Sequence, residues 1–402
     1  MNRWRRMSGL AGVGLAIALL AVPVAAEETE LTMVEVRRSG GFDAESLSLI
    51  DDAVRAVRAD RTELHRVTLR LLLLTRADRV IQEPPRGFGY PMVTMAIDPA
   101  MPVMAASLRV VLSRGDAVVG ATSASLRGAE VGDILHLESL AGETVQVRIG
   151  AIVPDEEIGW SEILVGRDSI PRLGIDRPYA VVAWTDRGAP LAAAIRIWTA
   201  DPQVRVLDGT GDPGTDPVLP VAAVKERFGE FAVRPAGGDA VQVDPGWRNS
   251  SIVTTDLPIV GPTRCHRLLV PYLRAALGEV DRAGLAGALD PNDFQLAGGC
   301  YNPRFNRGAD PGFSLSRHTW GIAIDFNPTS NPYGAAPVLA PGIVQIFKQW
   351  GFSWGGNWSV PDGMHFEWWG FPIAYDASCG LTTPTAATFD AWRMADSQGV
   401  CT

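Results

Sequence analysis

Two short stretches hold the residues best suited to chemistry. "SRHTWGIAIDFN", Ser316 to Asn327, sets His318 seven residues before Asp325. "PDGMHFEWWG", Pro361 to Gly370, sets Asp362 three residues before His365 and Glu367 two residues after it. The chain has five histidines, and two of them sit in aromatic, glycine-containing runs with a carboxylate nearby. Two readings fit the pattern. Histidine and carboxylate could satisfy one another inside a core, or a cation could lie between them. Two histidines and an aspartate suit zinc and leave a fourth position for water. Asp362 is then a carboxylate beside a ligand without being needed as one, the placement a water-activating base requires. Spacing by itself leaves both readings open.

The elements that must position these residues can be read locally. Gly321 and the β-branched Ile322 and Ile324 argue against a helix. "IAIDF" alternates as a strand, with Ile322, Ile324 and Phe326 on one face and Ala323 and Asp325 on the other. His318 falls on the turn leading in, and Gly321 permits the bend that returns it toward Asp325. "MHFEWW" alternates as a second strand with His365 and Glu367 on one face, after a "PDG" turn. Trp320, Trp354, Trp358, Trp368 and Trp369 are expected as core and cleft walls.

Upstream, "AESLSLIDDAVRAVRAD" has helical apolar spacing. From about Val67 to Trp198, "VTLRLLLL", "AASLRVVLS", "VGDILHLESL" and "ETVQVRIGAIV" read as short strands of a small barrel or sandwich. His65 and His136 there read as structural histidines, and no catalytic grouping is evident. "DGTGDPGTDPVLP", residues 208–220, reads as a linker. A short helical piece follows at "VAAVKERFGEF". In residues 263–284, Leu269, Tyr272, Leu273, Ala276, Leu277 and Val280 form one helical face, with Pro271 kinking the helix or marking its first turn. The expected organisation is a 1–26 signal peptide, a mostly-β module at 27–207, the 208–220 linker and a C-terminal domain at 221–402.

Length and charge bound the rest. A chain of 402 residues suits two or three domains. A net charge of −9 argues against a broad nucleic-acid or anionic-lipid interface. "MNRWRRM", an apolar small-residue run and then "EETE" form the layout of a secretory signal, with cleavage expected after Ala26 and an uncleaved anchor as the rival reading. No later run is long and apolar enough to span a bilayer, so a secreted or cell-envelope location is expected. Cys265, Cys300, Cys379 and Cys401 contain no C-x-x-C pair, which argues against a zinc ribbon. In an oxidising compartment they suggest two disulfides, expected as Cys265–Cys300 and Cys379–Cys401.

"SRHTWGIAID" resembles the S-x-H-x-x-G-x-A-x-D motif of the VanY-like M15 peptidases, zinc D-alanyl-D-alanine carboxypeptidases and L-alanyl-D-glutamate endopeptidases. "WGGNWSVPDGMHFE" resembles their second motif, and the resemblance covers roughly residues 221–401. It implies an α+β domain, a small antiparallel sheet flanked by helices, that binds one Zn2+ per chain and acts on peptidoglycan stem peptides. It implies His318, Asp325 and His365 as zinc ligands and Asp362 as the catalytic acid/base. That last position is glutamate in the carboxypeptidase branch, so an aspartate followed by "HFE" is closer to the endopeptidase branch. The family's upstream arginine, which contacts the substrate carbonyl, matches Arg304 better than Arg307. Ser316 is expected to donate a hydrogen bond in support of the site rather than act as a nucleophile. Glu367 either orients His365 or is a solvated strand residue. The rival class is a non-catalytic, zinc-containing wall-binding or envelope-assembly protein.

Overall fold

The computed structural model describes residues 32–370 apart from 39–40, 102–103, 159–160, 176, 199–203, 208–215, 217, 298, 307–313 and 359. The expected signal segment, most of the expected linker, Arg307, Cys379 and Cys401 lie outside the described residues.

The first of two compact units contains residues 1–215, 220–247 and 304–315. Its centre is the 17-residue strand Asp60–Arg76, long enough to serve two sheet regions. One end pairs with Ala180–Thr185, which continues to Thr32–Arg38 and Val204–Leu207. The rest enters a closed ring of strands. Tyr90–Ile97, Ile163–Gly166, Ala117–Gly120, Thr144–Val153 and Ile134–Glu138 follow one another and return to Asp60–Arg76. Two neighbouring pairs in the ring, Tyr90–Ile97 with Ile163–Gly166 and Ala117–Gly120 with Thr144–Val153, are parallel. Closure removes most exposed strand edges and encloses a core that includes Leu69, Leu71, Leu135, Val147, Ile149 and Ile163. The expected strand runs at 67–74, 131–140 and 143–153 each contain a strand: Asp60–Arg76 spans the first, and Ile134–Glu138 and Thr144–Val153 lie in the others. "AASLRVVLS" is not a strand: Ala106–Ser113 is an α-helix that buries Leu108 and Leu112 and exposes Val110. An i, i+4 apolar pair had the same local look as a short strand run.

The compact units divide the chain differently from the linear expectation, because residues 220–247 pack with the barrel. Gly89 and Val233 exchange backbone hydrogen bonds of 2.9 and 2.8 Å. Helix Val221–Phe228 inserts Lys225, whose Nζ meets both oxygens of Glu162 at 2.8 and 2.9 Å and Glu230 at 3.1 Å. Arg127 pairs with the same two acids, and Glu162 also accepts from Ser123 and the Val93 N–H. Burial works against ionising Glu162, but Lys225 and Arg127 outweigh it and hold its carboxyl below the usual range. A buried network of this kind tolerates the loss of a partner badly. Lys225→Met is expected to destabilise the first unit by about 3–5 kcal/mol, read as a lower denaturation midpoint. An unchanged midpoint would show that the cluster does not hold the helix.

The second unit contains residues 216–219, 248–303 and 316–402. Helix Val270–Arg282 buries Tyr272, Leu273, Ala276, Leu277 and Val280, and Pro271 lies in its first turn. Residues 261–266 ahead of it form a strand paired with Ile252–Leu257 rather than more helix. Three short antiparallel strands, in the order Ala323–Asp325, His365–Trp368, Phe352–Trp354, carry the two chemical stretches. Behind them Phe347, on helix Pro341–Gln349, sits 4.8 Å from Phe366, 5.1 Å from Phe326 and 5.2 Å from Phe352, centroid to centroid. Among the described residues no helix is long and apolar enough to cross a membrane.

Candidate metal centre

The alternation of "IAIDF" and "MHFEWW" is resolved as one sheet face for the aromatic core and the other for the polar residues. Asp325 lies directly opposite His365, and Ala323 opposite Glu367. Phe326 N–H donates to Met364 O (2.8 Å) and Trp368 N–H to Ile322 O (2.9 Å). Hydrogen-bonded and open pairs alternate along such a ladder, so Asp325–His365 falls on an open pair, where facing side chains lie closest.

His318 reaches the same place from a turn. Residues 317–319 form a single tight helical turn, and the Ser316 hydroxyl accepts from the His318 N–H at 3.3 Å. Ser316 was expected as a donor; in this contact it is the acceptor that caps the turn. Gly321 follows with φ +67°, and its N–H donates back to His318 O at 3.1 Å. A Cβ at Gly321 would lie 2.9 Å from His266 N and 3.0 Å from Ile252 Cδ1. Both the conformation and the close approach therefore select glycine.

The three side chains converge. His318 Nε2 is 3.1 Å and His365 Nδ1 2.9 Å from the same oxygen, Asp325 Oδ1. All three residues are buried, and their ligand atoms lie within 4.8 Å of one another. Atoms bound to one zinc at about 2.0–2.2 Å in a tetrahedron stand about 3.3–3.6 Å apart, so a small outward shift of the side chains from these contacts would admit a shared ion. The outward nitrogens decide the chemistry. His318 Nδ1 is 3.1 Å from Cys300 O, and His365 Nε2 is 3.2 Å from Glu367 Oε2. Each ring thus has an acceptor at both nitrogens, while a neutral imidazole has one N–H. With that N–H directed outward, each ring turns a lone pair toward Asp325 Oδ1. Lone pairs converging in a buried site repel unless a cation lies among them.

The electrostatics agree. Burial opposes the charge on Asp325, yet His318 and His365 outweigh burial and hold its carboxyl far below the usual range. Burial also opposes charge on His365, but its bonds to Asp325 and Glu367, with the Asp325 and Asp362 charges, push it up to about 10. Glu367 is held low against its burial by His365 and Arg317. Of the two expectations for Glu367, the buried position facing His365 matches the orienting one.

Asp362 is half-buried on the turn before the strand. Its N–H donates to Gly355 O (2.9 Å) and its carbonyl accepts from His365 N–H (3.1 Å), so the backbone fixes its distance from the histidine. The Trp358 ring stands 5.3 Å from the His365 ring. Arg304 forms an antiparallel bridge with Ala240 and groups with the first unit. The Cys265–Cys300 disulfide is present as expected, with Cα atoms 4.9 Å apart. It fixes the residue whose carbonyl meets His318, and Cys265 adjoins His266, whose N–H donates to Gly321 O at 2.9 Å. Sequence reasoning missed the Cys300 carbonyl, which leaves no residue-type signal. It also missed Arg317, which lies inside the first motif and pairs with Glu367 at 3.5 Å. His65, His136 and His266 have local partners instead: Glu63 at 3.5 Å, Thr75 at 3.2 Å and the Leu268 N–H at 3.2 Å.

Gly321→Ala is expected to cost about 1–3 kcal/mol for the positive φ and to weaken metal binding by displacing His318. Calorimetric unfolding and metal titration of the variant check both. Wild-type values in each would show that the turn tolerates a side chain.

Residues 310–368 match the M15 peptidase family model described as D-alanyl-D-alanine carboxypeptidase. The matched stretch contains His318, Asp325, Asp362, His365 and Glu367, and it bears out the resemblance of the C-terminal part to the VanY-like M15 peptidases. The chain matches no curated protein.

Proposed function

We propose that this M15-type C-terminal part is a zinc-dependent peptidase that hydrolyses an amide bond in peptidoglycan stem peptides, outside the cytoplasm. The observation that carries the reading is the convergence of His318 Nε2, His365 Nδ1 and Asp325 Oδ1, with the outward ring nitrogens on Cys300 O and Glu367. His318, Asp325 and His365 would hold the ion. When bound, zinc makes a water nucleophilic near neutral pH and polarises a carbonyl. The Asp362 carboxylate takes a proton from the attacking water and returns it to the amide nitrogen as the C–N bond breaks. The backbone bonds of Asp362 and the effect of its charge on His365 support that role. An aspartate at this position favours the endopeptidase type of cleavage over removal of a terminal residue. The signal-like N-terminal sequence and the Cys265–Cys300 disulfide support an extracytoplasmic location.

Asp362→Ala is expected to retain one zinc per chain and lose hydrolysis by about 10²–10⁴-fold, whereas His365→Ala loses the metal. Mass analysis of muropeptides of defined stem length reads both the rate and the bond cut. Undiminished cleavage by Asp362→Ala would falsify the acid/base assignment, and cleavage that survives complete chelation would remove the metal from the reaction.

Zinc binding near pH 7 should also release close to one proton. Without a metal ion His365 is held protonated up to about pH 10. Metal and proton compete for the same nitrogen, so affinity rises with pH across the neutral range. Calorimetric titration of zinc in buffers of different ionisation enthalpy measures the released proton. Identical heats in all buffers would contradict the competition.

A further inference from the structure

We propose that Arg317 is a positioning residue for the metal ligand His365, acting through Glu367 and anchored by the Leu219 carbonyl. The proposal rests on the metal reading above and extends it to residues that reading does not use.

Glu367 divides its two oxygens. Oε2 faces His365 Nε2 at 3.2 Å, and Oε1 faces Arg317 Nε at 3.5 Å. With the histidine as sole partner, the carboxylate could rotate about its terminal bond and present either oxygen. A guanidinium on the second oxygen fixes the plane of the group. That plane decides which nitrogen of His365 keeps the hydrogen. An N–H at Nε2, donated to Glu367, leaves the Nδ1 lone pair for the ion beside Asp325.

Arg317 is a long side chain and needs an anchor of its own. Its Nη2 donates to the carbonyl of Leu219. Asp216, three residues earlier, is held as well. Its Oδ1 meets Lys348 Nζ at 2.8 Å and its Oδ2 accepts the Trp354 N–H at 2.9 Å. Trp354 lies on the edge strand Phe352–Trp354, opposite Phe366 of the strand that carries His365 and Glu367. The edge of the sheet is thus held through Asp216 and the guanidinium through Leu219. The path from Leu219 through Arg317 and Glu367 to His365 is continuous, and its side chains are largely buried. Residues 216–219 lie outside the stretch matched by the family model, so this support belongs to the chain beyond its peptidase motifs.

The test uses the full chain. Zinc affinity is measured by competition with a chromophoric chelator, and the His365 ring tautomer by long-range proton–nitrogen-15 NMR on the zinc-loaded chain, where the ring has given up one of its two protons. Arg317→Met is expected to bind zinc about 10–100-fold more weakly and to lose the single Nε2–H tautomer. Arg317→Lys, which keeps the charge without the fork, should restore part of the affinity. Glu367→Gln should weaken binding too, and the Arg317→Met/Glu367→Gln double variant should be no weaker than Glu367→Gln alone. Should Arg317→Met fail to fold, Arg317→Lys and Asp216→Asn carry the same measurements, each expected to give a smaller loss of affinity with a mixed tautomer. Wild-type affinity with an unchanged tautomer in the folded variants, or fully additive losses in the double variant, overturns the positioning role and leaves the metal reading standing. A wild-type chain that takes up no zinc overturns both.

Discussion

Two imidazole nitrogens stand within hydrogen-bond distance of one buried carboxylate oxygen, Asp325 Oδ1, and each ring already has another acceptor behind it. In a low-dielectric interior that grouping is favourable only with positive charge at its centre, because converging lone pairs repel. A proton on His365 can supply that charge, and so can a metal ion. The three side chains could hold such an ion, with Cys300 O and Glu367 accepting the hydrogens of the outward ring nitrogens. The rest of the second unit is arranged so that this constraint can be met in one geometry.

Register is the main device. Asp325 and His365 oppose each other at an open pair of an antiparallel ladder, and a slip by one residue would turn one of them into the aromatic core. Phe347, packed against Phe326, Phe352 and Phe366, makes that slip costly by filling the other face of the sheet. His318 comes from outside the sheet and so needs separate fixing. The capped turn, the left-handed Gly321 and the disulfide at Cys300 each remove a freedom that would otherwise let the ring swing away. Such preorganisation suits a group that could hold a metal ion, because side chains already in place need not be ordered on binding.

The first unit is governed by a different buried-charge problem. Glu162 lies wholly inside, and its charge is balanced by Lys225 and Arg127. Lys225 comes from a helix that follows the glycine- and proline-rich segment in sequence yet packs with the barrel that precedes it. A chain cut at that segment would leave Glu162 without its lysine. Linker composition reports where the backbone is hard to bury; it does not report which body the next helix joins.

Much of the candidate site was legible because its signals are local. Alternation placed Asp325 and His365 on strands, glycine marked the bend at 321, and motif resemblance grouped His318 with them. The helical face at 269–280 followed from periodicity, as did the barrel strand runs at 67–74, 131–140 and 143–153. The error at 106–113 has the opposite origin: an eight-residue apolar run carries too few turns for its period to show. The sequence by itself determined the ligand types, their faces and the polarity of the strands, since each depends on neighbours a few residues away. Only the tertiary structure decided which strand edges meet, that Cys300 offers a carbonyl to His318, and that Arg317 and residues 216–219 stand behind Glu367. Those contacts join distant positions, 98 residues apart for Arg317 and Leu219 and 138 for Asp216 and Trp354. They depend on backbone atoms and packing directions that residue type does not encode.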